Sequence, residues 1–473
     1  MTDSSETRRT RICTAGPNLC LVAQLLEDPM LGIFAAVALV VISISFAYLW
    51  VMFFAGMRTI RRQGATMSTL SDTKYEDPYI DEPGTFHTYF LIPCLDEEKV
   101  IGATTKALAG SPHSTTIVID DASDDRTREV AYENGGDNVI VLSRTLPNAR
   151  LGKGEALNDA VRLVRELVAE RGQDTEEVLV VVMDADGRLS DGAMSQVLPL
   201  FDDPTVGGVQ LAVRIRNRHS FLTRYQDFHF WSSTSVTQFG RAQTGTVSLG
   251  GNGQFSRLSA LNEAGEKPWS ESLTEDLDLC VTLALRGWKL TTTPNAAVEQ
   301  QGVETISTLF RQRRRWFQGH MAMAKRIPEI WKTPSLPNIR ALELSAYILT
   351  PWVTILPWSI LFHWAVLGMI FDGGVFFAFV TSSATLLAGL VFWYLLTLGP
   401  VFVNAWVYYK RDDKHEFWIS MLHSHCFPLI NYLAFAAVWS ALARLLKGQN
   451  GWEKTRRVDE AVPAPGAETA VPA

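Results

Sequence analysis

Residues 178–186 read Val178-Leu179-Val180-Val181-Val182-Met183-Asp184-Ala185-Asp186. Six apolar residues with no polar alternation predict a strand covered on both faces, the texture of a parallel sheet clad by helices. The strand delivers two carboxylates separated by one small residue. Residues at i and i+2 leave a strand on the same side, so Asp184 and Asp186 are expected together at the sheet's edge. Two such oxygens can hold a hard cation such as Mg²⁺ or Mn²⁺; the bland alternative is a solvated loop.

Two further runs carry the same signal upstream, Thr88–Ile92 and Thr115–Ile119, each ending in a polar or acidic segment. From Phe86 to about Ile306, short β-branched runs alternate with amphipathic helical stretches, the pattern of a soluble α/β domain. Ligands of open parallel sheets gather at the carboxyl ends of the strands, so the acidic clusters there carry the argument. In Asp120-Asp121-Ala122-Ser123-Asp124-Asp125, a carboxylate can accept from the N3–H of a uracil ring. Asp124 or Ser123 can instead cap the helix running from Arg126, and Asp121 is expected to take the nucleotide. Leu273-Thr274-Glu275-Asp276 opens another helix, where an acid is either a dipole-favourable cap or, at Asp276, a general base for an acceptor hydroxyl.

Outside this domain the composition changes. The chain has 473 residues, 47% hydrophobic and 20% charged, with apolar residues concentrated at the two ends. A net charge of −7 with no clustered basic face argues against nucleic acid as a partner. Five scattered cysteines suggest neither a disulfide framework nor a zinc site, and fit a reducing compartment. Met30–Gly56 lacks charge and exceeds the roughly 20 residues needed to cross a bilayer; Arg58, Arg61 and Arg62 follow it and favour a cytoplasmic exit, against the vote of Arg8, Arg9 and Arg11. Apolar material returns at Ala341–Phe371, Val375–Tyr409 and Phe417–Leu446; Lys410, Arg411 and Lys414 place one loop inside, as do the basic residues from Lys447 to Arg457. One crossing cannot satisfy both loops, so Phe417–Leu446, with His423, Ser424, His425, Pro428 and Asn431 at its middle, is expected to be broken or a hairpin. The expected organisation is a polar segment (1–29), a membrane helix (30–56), a linker (57–85), the α/β domain (86–306), amphipathic interface helices (307–340), membrane helices (341–446) and a basic, then Ala/Pro-rich and disordered tail (447–473).

Leu309–Met321 contains Gln312-Arg313-Arg314-Arg315-Trp316 and puts Phe310, Phe317 and Met321 on one helical face. It reads either as a helix in the membrane interface or as a donor of one inward arginine for a diphosphate and an aromatic face for a sugar. Both readings can hold at once.

In this order, Asp184-Ala185-Asp186, Thr274-Glu275-Asp276 and Gln312-Arg313-Arg314-Arg315-Trp316 resemble the metal pair, base triplet and Q-x-x-R-W signature of the membrane-integrated family 2 glycosyltransferases, the group of cellulose, hyaluronan and chitin synthases. The resemblance implies a GT-A nucleotide-sugar-binding α/β domain, with a mostly parallel central sheet, inserted between transmembrane helices. It implies a metal site at Asp184 and Asp186 for Mg²⁺ or Mn²⁺, and nucleotide-sugar contacts at Pro93, Glu97, Asp121, Lys153 and Asp184. Asp276 is implied as general base, with Glu275 and Arg315 beside it as catalytic groups. Gln312, Trp316 and the segment holding Asn252 and Gln254 are implied to meet the acceptor. Asp96 stands where the family's opening P-x-x-N-E segment has Asn. Gly250-Gly251-Asn252-Gly253-Gln254-Phe255 does not read like the cellulose-synthase version, so the acceptor stays open.

The implied protein is a multi-pass hexosyltransferase of a bacterial inner or plasma membrane with a cytoplasmic catalytic domain. It inverts the anomeric centre as it moves sugar from a UDP-sugar to a growing polysaccharide, with β-linkage and coupled extrusion. Single addition to a lipid-linked acceptor is the alternative. Glycan or lipid-linked acceptor and membrane lipid are its implied partners, with room for an accessory export partner. No cyclic-dinucleotide-binding module is expected after the last span.

Overall fold

The computed structural model describes residues 29–63, 86–371 except 110 and 112, 387, 388, 391, 394, 402–411, 417–449 and 451. The N-terminal arginines, the linker at 68–85, most of the run 375–409, Lys414 and the tail beyond 451 lie outside the described residues.

A seven-stranded sheet organises the α/β domain in the order β3-β2-β1-β4-β8-β6-β9. Its first half is parallel: β1 (His87–Cys94) lies between β2 (Ser114–Asp120) and β4 (Val178–Val182), with β3 (Val139–Ser143) outside β2. The three strands expected from apolar runs are therefore present, and all five residues of β4 are buried. β8 (Gln254–Arg257) runs antiparallel to both β4 and β6 (Val206–Gln210), and β9 (Lys289–Thr291) closes the far edge parallel to β6. The mostly parallel GT-A-like sheet is thus as expected. Chain order reverses between β1 and β4, which makes the carboxyl ends of β1, β2 and β4 a topological switch point. A small sheet of β5 (Arg188–Leu189), β10 (Ala297–Gln300) and β7 (Ala212–Ile215) lies beside it.

The Lys153–Glu170 helix covers one face with Ala156, Leu157, Ala160, Val161, Val164 and Val168, the spacing of an amphipathic stripe. Its Asn158 donates to Trp269 O (2.8 Å) and accepts from Trp269 N (3.1 Å), which fixes the loop that leads to the Glu275–Leu285 helix.

Two helical stretches, Ala36–Arg62 and Asn338–Trp364, are long and apolar enough to cross a membrane. Both are fastened to the α/β domain. Thr59 Oγ1 donates to Phe239 O (2.6 Å), and the fully buried Arg241 pairs with Glu343 (2.8 Å), which also accepts from Thr246 and, at 3.3 Å, from Tyr48. Removing one member would strand a buried charge, so this pair ties the 338–350 helix to the domain.

Phe417–Leu446 forms one continuous helix, which corrects the expected break. Its polar side chains satisfy themselves locally: His423 Nδ1 meets Ile419 O (2.9 Å), and His425 Nδ1 (2.7 Å) and Ser424 Oγ (2.8 Å) meet Met421 O. Back-bonding of this kind removes the need to unwind the backbone around them. Arg411 likewise is no loop residue: it is buried on a helix, over the Trp231 ring (3.6 Å), and donates to Trp231 O (2.8 Å).

Candidate active site

A cavity of about 330 Å³ opens at the switch point, lined from β1 by Pro93, Cys94, Leu95 and Glu97, from β2 by Asp121, and from β4 by Asp184. Lys153, Asn252, Glu275, Asp276, Gln312, Arg315 and Trp316 complete the lining used below. Eleven of the thirteen residues expected at the site therefore converge on one space; Asp186 and Gln254 do not line it.

The reason for Asp186 lies in the backbone. β4 ends at Val182 and Asp184–Gly187 forms a turn, closed by Gly187 N donating to Asp184 O (2.8 Å) and pinned by Thr104 Oγ1 donating to Ala185 O (2.6 Å). Strand alternation stops before the second carboxylate. Asp186 is fully buried and accepts from Gln301 N (2.8 Å), while Asp184 reaches the cavity. Gln254, on β8, is also fully buried.

Lys153 is the hub of the cavity floor. Its Nζ donates to Asp184 Oδ1 (2.7 Å) and to Gly251 O (2.8 Å). Burial pulls the amine down, but Asp184 and then Glu275 and Asp276 outweigh it, so the pKa stands above the usual lysine range. Gly251 has φ +69°, and a Cβ there would lie 3.1 Å from Asp276 Oδ2 and 3.2 Å from Lys153 Nζ. Only glycine allows this loop to pass between the two. Asn252 accepts from Asp184 N (3.1 Å) and donates to Gln300 Oε1 (2.8 Å), so the segment braces the acid as it lines the cavity.

Asp276 stands in the first turn of the Glu275–Leu285 helix, its Oδ1 accepting from Leu277 N (2.7 Å). Burial raises its pKa, against Lys153 and Arg315, which lower it. Glu275 is pushed up to about 7, first by burial and then by Asp276. Arg315 arrives on the Ile306–Ala322 helix, whose approach is set by Gly319: a Cβ there would fall 2.5 Å from Thr274 Cγ2. The helix carrying Q-x-x-R-W therefore lies directly on the segment carrying the acidic triplet.

Asp121 is held by Arg144, buried between Asp121 and Asp159, and by Arg150 N (3.0 Å). Neither arginine has a sequence signal beyond being an isolated basic residue, and both escaped the sequence reading. The cap of the Thr127–Gly135 helix is also corrected: Asp125 Oδ1 accepts from Thr127 N (3.0 Å), while Ser123 accepts from Asp96 N (3.0 Å) and Asp124 pairs with Arg150.

A second cavity of about 330 Å³ adjoins the first. Val213, Phe230, Gly250, Thr274, Asp276 and Trp316 line both, so Asp276 sits in the partition. The rest of its wall comes from Gln210–Ala212, the 229–241 helical segment, Ser248, Leu249, Leu277, Thr292, Arg313, Phe317, His320 and Tyr347. Of that wall, only Gly250, the Thr274-Glu275-Asp276 triplet and the Arg313–His320 stretch have a motif to announce them.

The sequence model of the family described as "Glycosyltransferase like family 2" matches residues 83–319. The chain belongs to that family. Among curated relatives of this family 2 glycosyltransferase, the β-monoglucosyldiacylglycerol synthase of Nostoc sp. is 32% identical over 241 residues, 48% of each chain. The poly-β-1,6-N-acetyl-D-glucosamine synthase of Staphylococcus epidermidis is 28% identical over 265 residues, 55% of this chain and 59% of that one. The chain thus spans about half the length of the curated relatives it matches. A solved Pyrobaculum calidifontis mannosyltransferase, in complex with GDP-Man and Mn²⁺, superposes with a TM-score of 0.47 at 16% identity, covering 86% of this chain and 99% of that one.

Among the described residues, no three or more His, Cys, Asp or Glu side chains group as a metal cage. A cation that rides on a diphosphate needs only one or two protein carboxylates, and Asp184 offers a hard oxygen ligand at the cavity wall. The residues fit such an ion through Asp184, with Asp186 behind the turn.

Proposed function

We propose that this glycosyltransferase is a membrane-bound, inverting hexosyltransferase that moves sugar from a UDP-sugar to a hydroxyl acceptor entering from the membrane side. The observation that carries the reading is the position of Asp276, in the partition between a charged cavity and a nearly neutral one. The charged cavity suits a donor: Lys153 and Arg315 face a departing diphosphate, and Asp121 is available to the base. Mg²⁺ or Mn²⁺, held at Asp184, would neutralise further charge on the leaving group. The second cavity suits an acceptor, with Trp316 offering a ring to a sugar or glycerol face.

Asp276 takes the proton of the acceptor hydroxyl as that oxygen attacks the anomeric carbon. The glycosidic oxygen leaves with UDP on the side of Lys153 and Arg315. One displacement inverts the centre, so an α-linked donor gives a β-product. Glu275, pushed up to about 7 by burial and by Asp276, stands beside the base as the second acid of this buried pair.

The 32% relative named for glucosyldiacylglycerol favours a lipid acceptor taking one sugar. The 28% relative named for poly-N-acetylglucosamine favours growth of a polysaccharide, with the 338–364 helix and its neighbours around an exit path. Purified protein in vesicles, screened with UDP- and GDP-sugars, tests both: metal-dependent UDP release is expected, and product length separates a single addition from a ladder. Release of GDP alone, or release indifferent to chelation, would overturn the proposal.

A further inference from the structure

The second cavity contains a cation that the reaction above does not use. Arg313 lines it, stacked over Trp316 (4.7 Å to the ring centre) and Phe230 (5.4 Å). The other basic side chain on the wall is His320, lowered to about 4 by burial and so neutral at physiological pH. Behind Arg313, His229 is lowered to about 3, by burial and then by Arg313 itself.

Charge balance distinguishes Arg313 from the donor-side cations. Lys153 and Arg315 are answered by Asp184, Glu275 and Asp276. Among the described residues no carboxylate acts on Arg313; burial lowers its pKa and only the Tyr225 phenol acts to raise it. A half-buried cation on which no carboxylate of the described residues acts is costly unless something supplies a counter-charge. Trp316 and Phe230, whose ring centres lie 6.2 Å apart at 66°, approach the guanidinium from neighbouring directions rather than enclosing it between them, and a guanidinium's fork of N–H donors can take an oxyanion bidentately.

We propose that Arg313 anchors an oxyanion, phosphate or carboxylate, carried by the acceptor. This rests on reading the second cavity as the acceptor site. Trp316 and Phe230, which hold Arg313, also border the donor cavity, so an acceptor gripped here has its hydroxyl presented at the partition where Asp276 stands. The anion supplies the missing charge, and the stack sets its distance from the reacting carbon.

The test compares matched acceptors with the full chain in phosphatidylcholine vesicles, using the UDP-sugar found to support nucleotide release and Mn²⁺. Dioleoylphosphatidylglycerol is set against dioleoylglycerol, and soluble glucuronate against glucose. Transfer to the anionic member of at least one pair is expected to exceed transfer to the neutral one by about tenfold or more. Preference in the lipid pair places the anion on a headgroup; preference in the sugar pair places it on a glycan. Arg313→Gln should bring that ratio towards one and Arg313→Lys should keep part of it, a comparison insensitive to general loss of active protein. Neutral acceptors used as well as anionic ones, or a ratio unmoved in Arg313→Gln, would overturn the anchor while leaving the acceptor cavity intact. Failure to transfer to any of the four, with UDP still protecting the chain from thermal unfolding, would instead sink the acceptor-cavity reading and the anchor with it.

Discussion

The two cavities on either side of Asp276 are built from opposite materials. The cavity proposed for the donor is a mesh of paired charges: Lys153 with Asp184, Arg144 with Asp121, Arg315 beside Glu275 and Asp276. The cavity proposed for the acceptor is neutral save for Asp276 in the partition and Arg313. A nucleoside diphosphate brings its own charge and must be met by charge. An acceptor hydroxyl needs only a proton taken from it at the right moment, in surroundings that keep water out. The division teaches that specificity for donor and acceptor can change independently, provided the partition holds.

The sharpest way to break this picture is at the partition. Asp276→Asn is expected to lower kcat by about a thousandfold, within the range for loss of a general base, while UDP binding measured by calorimetry persists. Loss of UDP binding in parallel would move Asp276 to the donor side alone. On the donor side, Lys153→Met removes the partner of Asp184 from a site less than one-third exposed and should cost about a hundredfold in kcat/KM for the UDP-sugar. An equal loss when the acceptor is varied would blur the two cavities into one. At the contact that holds the partition closed, Gly319→Ala places a methyl 2.5 Å from Thr274 Cγ2. Overpacking of that kind costs roughly 1–3 kcal/mol, and about a tenfold rise in acceptor KM is expected from steady-state kinetics as the Trp316 helix shifts.

The smallest effect is in pH. A base must be ionised to work, and burial raises Asp276 while Glu275 stands at about 7. A raised pKa means activity is present above it and lost as pH falls through it. The acidic limb of kcat/KM should therefore lie closer to neutral than the ordinary carboxylate range near about 4. A limb at the ordinary value would place Asp276 in water rather than in the partition.

Much of the donor side was legible in the sequence for the same reason that it is charged. Strands buried on both faces leave unbroken apolar runs, as in Val178–Val182, and the polar residues that end them stand out by contrast. Asp121 and Asp184 announce themselves this way, whereas Asp276 stands out in an acidic triplet that opens a helix and Lys153 was legible only through the family resemblance. What stayed hidden depends on backbone geometry or on partners far away in sequence. Asp186 follows Asp184 at a strand's spacing, but the turn pinned by Thr104 sends it inward. Asp125 rather than Asp124 caps its helix because Asp124 is drawn to Arg150. Helical continuity through 423–431 was missed because polar side chains that bond to their own preceding turn look, in sequence, like breakers. The acceptor cavity was invisible for a plainer reason: its uncharged wall is gathered from the segments around 210, 230, 248 and 347, none of which carries a pattern of its own.

A single displacement across the partition has one stereochemical signature. Nuclear magnetic resonance of the first-formed product from an α-linked UDP-sugar should show a β-anomeric proton. An α-product would require a second nucleophile and would contradict the role assigned to Asp276.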